Sequence, residues 1–184
     1  MKKFPGYLAA ISRLNRLGNG RPVEWLFHCG MLFSSRDKWW GDFGFRASIH
    51  EGIDITYYRT HPEEICWFDG TITIPAMEDG RIINICDDFL GQTLVVELER
   101  EGSAETRVIF AYAHILPESR LCIAHRIKKN DIIARVCDTQ KNPQLPPHLH
   151  FSCFEVDKGL LPEDLNWTLF SNNRDIKRIH PVFL

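Results

Sequence analysis

From residue 52 onward the chain alternates short apolar runs with turn residues. "GIDITYY", "GTITIP", "GRIINIC", "TLVVELE", "RVIFAYAHI", "DIIARVC" and "HLHFSCFEV" are β-branched or alternate apolar with polar. Each is short enough for a strand, and each is bounded by glycine, proline, aspartate or asparagine. This spacing predicts a mainly β fold, an antiparallel sandwich or open barrel. Helical periods occur only at the flanks. In "YLAAISRLNRL", Leu8, Ile11 and Leu14 recur at helical spacing, and "GNG" stops the helix. "LPEDLNWTLFSNN" predicts one closing helix, with Pro162 near its first turn and acidic residues at its start. "PVEWLFHCGMLF" is apolar enough for a buried strand or short helix. "SSRDKWWGDFGFR" reads as an aromatic loop and "RDIKRIHPVFL" as an extended arm. No repeat interrupts the pattern. The expected organisation is an N-terminal extension over residues 1–45, one β domain over 46–156, and a C-terminal helix and arm over 157–184.

Composition narrows the function. The chain has 184 residues, 44% of them hydrophobic, which suffices for one real core. Its 22 basic and 24 acidic residues give a formal charge of -2, so no basic field marks nucleic acid as a partner. No apolar run is long enough to span a membrane. The opening residues carry Lys2 and Lys3, but Pro5, Arg13, Asn15 and Arg16 interrupt the apolar stretch behind them. No signal peptide is expected from this pattern. At face value the chain is expected in the cytoplasm. None of the six cysteines (29, 66, 86, 122, 137 and 153) forms a Cys-x-x-Cys pair, and most have apolar neighbours, so buried free thiols are expected.

The candidate chemistry lies in histidine. In "PPHLHF" (146–151), a strand places His148 and His150 on one face and Leu149 and Phe151 on the other. Two imidazoles on one face suit a metal site, a catalytic pair, or simply two surface histidines. "HEGIDI" (50–55) places His50 four residues before Asp54, with Gly52 expected to let the backbone bend one toward the other. His and Asp are ordinary zinc ligands, though a surface pair reads the same way. "YAHI" adds His114 at the end of a strand.

Order and context together resemble the lysostaphin-like zinc metalloendopeptidases, the twenty-third family of metallopeptidases, whose best-known members cleave peptidoglycan cross-bridges. The family's H-x-G-x-D is matched by His50, Gly52 and Asp54. Its A-x-x-D-G-x-V hairpin is matched by "AMEDGRI", from Ala76 to Ile82. Its Y-x-H is matched by Tyr112 and His114, its Lys-rich turn by "IKKNDII", and its P-H-L-H-F letter for letter by Pro147 to Phe151. The resemblance covers roughly residues 46–156.

The resemblance implies a lysostaphin-like β fold and one zinc ion held by His50, Asp54 and His150. Three protein ligands leave an open position, the pattern of a catalytic site. It further implies His148 as general base, with His114 as its partner in proton transfer or oxyanion stabilisation. The implied substrate is a peptide or peptidoglycan. Two departures stand out. The family's turn glycine is Asn130, which tolerates a left-handed backbone. The tyrosine six residues before the first ligand is Gly44, which leaves Arg46 as the nearest polar substitute. Arg46 and Tyr112 are therefore the expected substrate-binding residues. Many family members are exported, although this chain shows no leader.

The other histidines read as bland: His28 in the core, and His61, His125 and His180 solvated. Trp39, Trp40 and Phe43 could wall a groove or pack in the core, and the segment before Arg46 could fold over the site. Two alternatives compete with an active enzyme. One is a degenerate family member that binds cell wall or regulates another hydrolase. The other is a biotinyl- or lipoyl-type carrier, which needs a Met-Lys-Met hairpin tip absent here and has no use for five converging ligand-type residues.

Overall fold

A computed structural model describes residues 3–61, 64–138, 144–172 and 176–183. All seven predicted runs form strands. They are β2 (Gly52–Ile55), β5 (Thr73–Pro75), β6 (Gly80–Asp87), β7 (Gln92–Gly102), β8 (Thr106–Pro117), β10 (Ile132–Val136) and β11 (Leu149–Asp157). Five short strands complete the described set: β1 (Glu24–Trp25), β3 (Tyr58–His61), β4 (Glu64–Cys66), β9 (Arg126–Ile127) and β12 (Lys177–Ile179). The main sheet runs β12-β11-β8-β7-β6-β9. β2 pairs with β11, and β10 bridges β8 and β5. Every registered pair is antiparallel, and β1-β3-β4 form a separate small sheet.

β11 organises the molecule. One edge pairs with β8 from His150 to Asp157. The other edge takes β2 beside residues 149–152 and β12 beside 153–155. Its alternation sorts two cores. Leu149, Phe151 and Cys153 face one cluster with Phe110 and Tyr112 of β8. Phe154 and Val156 face a second cluster with Ile109 and Ala111. This is the period of two expected of a strand buried on both faces.

The flanks close these cores. α1 (Lys3–Leu14) buries Phe4, Tyr7, Leu8 and Ile11 in the first cluster, a stripe one turn earlier than the sequence suggests. Pro5 lies in its first turn, where a missing N–H is tolerated, so it does not break the helix. The predicted closing helix is split. Pro162–Asp164 form a 3-10 turn, and α2 (Trp167–Asn172) starts only after Asn166, whose side chain caps the Thr168 N–H at 3.0 Å. α2 contributes Phe170 to the second cluster, with Trp167 and Leu169 packed against it. The predicted arm supplies β12 and a 3-10 turn at Pro181–Phe183. Asn130 does adopt the left-handed backbone, at φ 70°.

Two further sequence expectations fail. His28 is exposed, not a core residue; its Nδ1 accepts the Gly30 N–H at 3.0 Å and caps a 3-10 turn. No disulfide joins the six cysteines, and only Cys153 is buried; Cys29 and Cys122 are exposed and the other three are intermediate. Apolar sequence neighbours do not bury a thiol that lies at a strand end or in a turn. Among the described residues, no helix is long and apolar enough to cross a membrane.

Candidate metal centre

Sheet register brings the first two donors together. Asp54 of β2 stands directly opposite His150 of β11, and Ala113 of β8 faces His150 from the other side. His50 enters from the loop before β2, anchored by two backbone bonds, its N–H to Ser35 O and its carbonyl to Ser34 N, both at 2.9 Å. His50 Nε2, Asp54 Oδ1 and His150 Nδ1 then form a triangle with sides of 2.8, 3.0 and 3.1 Å. All three residues are buried.

Gly52 makes this register possible, but not by bending. Its backbone is not left-handed. A Cβ at Gly52 would lie 2.4 Å from the Phe151 carbonyl oxygen and 2.3 Å from Ser152 Oγ. Close approach of β2 to β11 is what requires glycine.

Outer partners fix which atoms face the triangle. The Leu32 carbonyl, 3.0 Å from His50 Nδ1, can only accept, so Nδ1 carries the proton and Nε2 presents a lone pair. Ser152 Oγ, 2.8 Å from His150 Nε2, can accept that ring proton and leaves Nδ1 bare. Asp54 Oδ2 takes the Trp39 indole N–H at 2.6 Å and an Arg46 N–H at 3.3 Å, leaving Oδ1 for the triangle. In this arrangement three lone pairs converge with no proton to share. Such a set repels itself unless a cation sits among the donors. Two imidazole nitrogens and one carboxylate oxygen, each held by an outer hydrogen bond, fit zinc.

Electrostatics agree with the ligand states. Burial alone would raise the Asp54 carboxyl, but the imidazoles of His50 and His148 and the hydrogen bonds of His150 and His50 hold it well below the usual carboxylate range. Burial pushes the His150 imidazole down against the pull of Asp54. The same burial pushes His148 down to about 3. Neutral imidazole is the form that binds a metal or accepts a proton.

Two more histidines flank the triangle. His148 donates Nδ1–H to the Pro146 carbonyl at 2.9 Å, which turns Nε2 inward, 3.8 Å from Asp54 Oδ1. Its loop is tied down by Thr56, whose hydroxyl donates to the Pro147 carbonyl at 2.8 Å. The His114 ring centre lies 4.8 Å from that of His148 and 5.8 Å from that of His150. Strict alternation along β8 would send His114 to the Tyr112 side. A β-bulge prevents it. Register slips by one residue between the Gln92–Ile115 and Leu94–Tyr112 pairs, and His114 sits at φ 62°. This turns the ring into the site.

A cavity of 270 Å³ opens over these groups. Trp40, Phe89, Leu145 and Trp167 contribute apolar walls, and His114, His148 and His150 line it with Asp54 and Asp88. The aromatic loop is thus a wall of the site. Trp39 is buried beneath it, while Phe43 and Phe45 stay exposed. α1, in contrast, packs in the first core cluster rather than on this cavity.

The two expected substrate-binding residues are placed differently. Arg46 lines the cavity, but its guanidinium donates to Asp54 and to the carbonyls of Gly30 and Asp37, and it stacks over Trp40 at 4.3 Å. Tyr112 is fully buried in the first core, where its hydroxyl accepts the Met77 N–H at 3.0 Å. Bulge and alternation leave it on the opposite side of β8 from His114.

Sequence reasoning misses three supporting residues. Ser152 shares the His150 face by strand alternation, a signal the sequence does carry. Trp39 reads from sequence as a groove wall or core residue, yet it is a donor to Asp54. Asp88, on the β6–β7 turn, bonds to His114 at 3.0 Å, and no local pattern links residues 88 and 114.

No protein-family model matches the chain, and no curated protein matches it. Solved structures overlay it in part. The solution structure of lysostaphin aligns at a TM-score of 0.47 with 14% identity, over 72% of this chain and 43% of lysostaphin. The catalytic domain of a mutant of the prophage-encoded M23 protein EnpA from Enterococcus faecalis aligns at 0.45 with 18% identity, over 88% of this chain and 91% of that one. LytU aligns at 0.44 with 19% identity, over 77% and 79%. The chain is similar to these proteins, and spans less than half the length of lysostaphin.

Proposed function

We propose that this protein is a zinc-dependent endopeptidase that hydrolyses peptide bonds in peptidoglycan stem peptides or cross-bridges. The observation that carries the reading is the convergence of His50 Nε2, Asp54 Oδ1 and His150 Nδ1 beneath a cavity that two further histidines line. When bound, zinc acidifies a water and polarises the scissile carbonyl.

The chain's own residues supply the rest. His148 gives Nδ1–H to a backbone carbonyl and so directs the lone pair of Nε2 into the site, where it can accept the proton of the attacking water. His114, on the other side, can hand a proton to the leaving amine or steady the developing oxyanion. Trp39 and Arg46 hold Asp54 in its one-oxygen orientation, and Ser152 holds His150. The apolar walls limit water around the reacting groups. A non-catalytic role as a cell-wall-binding module gives no reason for two further histidines, His114 and His148, to line the cavity beside the triangle.

The test is metal content together with cleavage of purified muropeptides. Zinc-loaded wild type should cleave, a chelator should stop it, and His148→Ala should retain zinc but lose cleavage. Zinc binding without cleavage of any muropeptide would favour the non-catalytic binding module.

A further inference from the structure

His148 and His114 face the same centre, but their outer partners differ in kind. His148 leans on a backbone carbonyl. His114 leans on a carboxylate, Asp88, whose side chain is 1% exposed. Asp88 serves five donors. Oδ1 accepts the Leu90 N–H at 2.9 Å, the Gly91 N–H at 2.8 Å and His114 Nδ1–H at 3.0 Å. Oδ2 accepts the His114 backbone N–H at 2.9 Å and the Thr93 hydroxyl at 2.9 Å. One carboxylate thus ties the β6–β7 turn to both the ring and the backbone of His114.

Both ties are needed at this residue. A non-glycine residue at φ 62° is held against a steric preference and persists only where its surroundings over-determine it. The bulge also removes the His114 N–H from the regular ladder, and Asp88 accepts it instead. An acceptor-only carboxylate at Nδ1 fixes the proton there, which leaves Nε2 as the ring nitrogen for the cavity.

We propose that Asp88 is a positioning residue of the reaction: it locks His114 in the Nδ1–H tautomer and holds the bulge that turns its Nε2 toward the metal centre. The kinetic part of this proposal rests on the peptidase reading; the tautomer part does not. An asparagine at this position cannot replace the carboxylate, because its NH2 must face one of two sets of N–H donors. Phe89, exposed on the same turn and 4.6 Å from the His114 ring centre, would move with it.

The experiment uses the full chain, zinc-loaded, as wild type, Asp88→Asn, Asp88→Ala and His114→Ala. Long-range 15N–1H NMR reads the His114 tautomer, and muropeptide cleavage reads kcat and KM. Wild type should show His114 as Nδ1–H. Both Asp88 variants should lose that single tautomer while keeping zinc. Their kcat should fall about a hundredfold with KM little changed. In the His114→Ala background, Asp88→Asn should lower kcat no further, because Asp88 acts through His114. If Asp88→Ala does not fold, Asp88→Asn alone decides. An Asp88→Asn protein with the wild-type tautomer and wild-type kcat would overturn the proposal. So would an equal loss of kcat in the His114→Ala background, which would mean general damage. If wild type cleaves no muropeptide, the peptidase reading falls while the NMR result still judges Asp88.

Discussion

His150 and Asp54, ninety-six residues apart, are direct cross-strand partners of the β2–β11 pair, and His150 Nδ1 lies 2.8 Å from Asp54 Oδ1. A metal site built on sheet register is positioned by the backbone ladder rather than by flexible loops. Its integrity should therefore follow the ladder, and its occupancy should follow the donors.

The donor assignment predicts a selective loss of metal. Purified wild type offered zinc should hold about one ion per chain, while His150→Ala and Asp54→Ala should hold almost none. His148→Ala should keep it, since His148 Nε2 lies 3.8 Å from Asp54 Oδ1 and outside the triangle. Metal analysis after gel filtration reads this directly. Retention of zinc by His150→Ala would refute the ligand set.

Ser152 should matter to metal affinity more than to folding. It accepts no metal but orients His150 through Nε2. Ser152→Ala should weaken zinc binding about 10- to 100-fold, measured by competition with a chelator. Unchanged affinity would mean that the His150 ring needs no such partner.

Gly52 should tolerate no side chain. An alanine Cβ would stand 2.4 Å from the Phe151 carbonyl oxygen, a backbone atom that cannot step aside. Gly52→Ala should cost about 1–3 kcal/mol in urea unfolding. The double variant Gly52→Ala, Ser152→Ala should not recover it, because the backbone clash remains.

The metal-free protein should weaken in acid. Burial pushes the His148 imidazole down to about 3 and lowers His150 as well. Unfolding lets both recover their ordinary pKa of about 6.5, so between these values the unfolded chain binds more protons than the folded one. Stability then rises with pH across that window and is lost as pH falls through about 6.5. From pH 7 to pH 5 His148 alone should cost about 2 kcal/mol. Asp54 titrates below this range and adds little there. Urea unfolding with chelator at the two pH values should show the drop, and His148→Gln should show a smaller one.

Tyr112 offers a test of its burial. Its hydroxyl pairs with the Met77 N–H on the core side of β8. Tyr112→Phe should lower stability by about 1–3 kcal/mol by leaving that N–H unpaired, with kcat unchanged. A raised KM at full stability would instead restore the expected substrate-binding role.

What the sequence determined by itself is what local periodicity can carry. Short β-branched and alternating runs marked seven of the strands, and alternation placed His150 apart from Leu149 and Phe151. The His50-x-x-x-Asp54 and His148-x-His150 spacings marked the candidate residues, and the order of motifs that resembles a known family singled out His50, Asp54 and His150 among them. Tertiary structure decided what depends on contacts between distant segments. The register of β2 against β11 set the triangle, and close approach, not bending, explained Gly52. The bulge in β8 separated His114 from Tyr112, against the alternation that would have kept them together. Asp88, Trp39 and Arg46 became supports of the site only when a turn and an aromatic loop folded against it. Such pairings are chosen by packing and by the need to satisfy buried polar groups, and neither leaves a period in the chain.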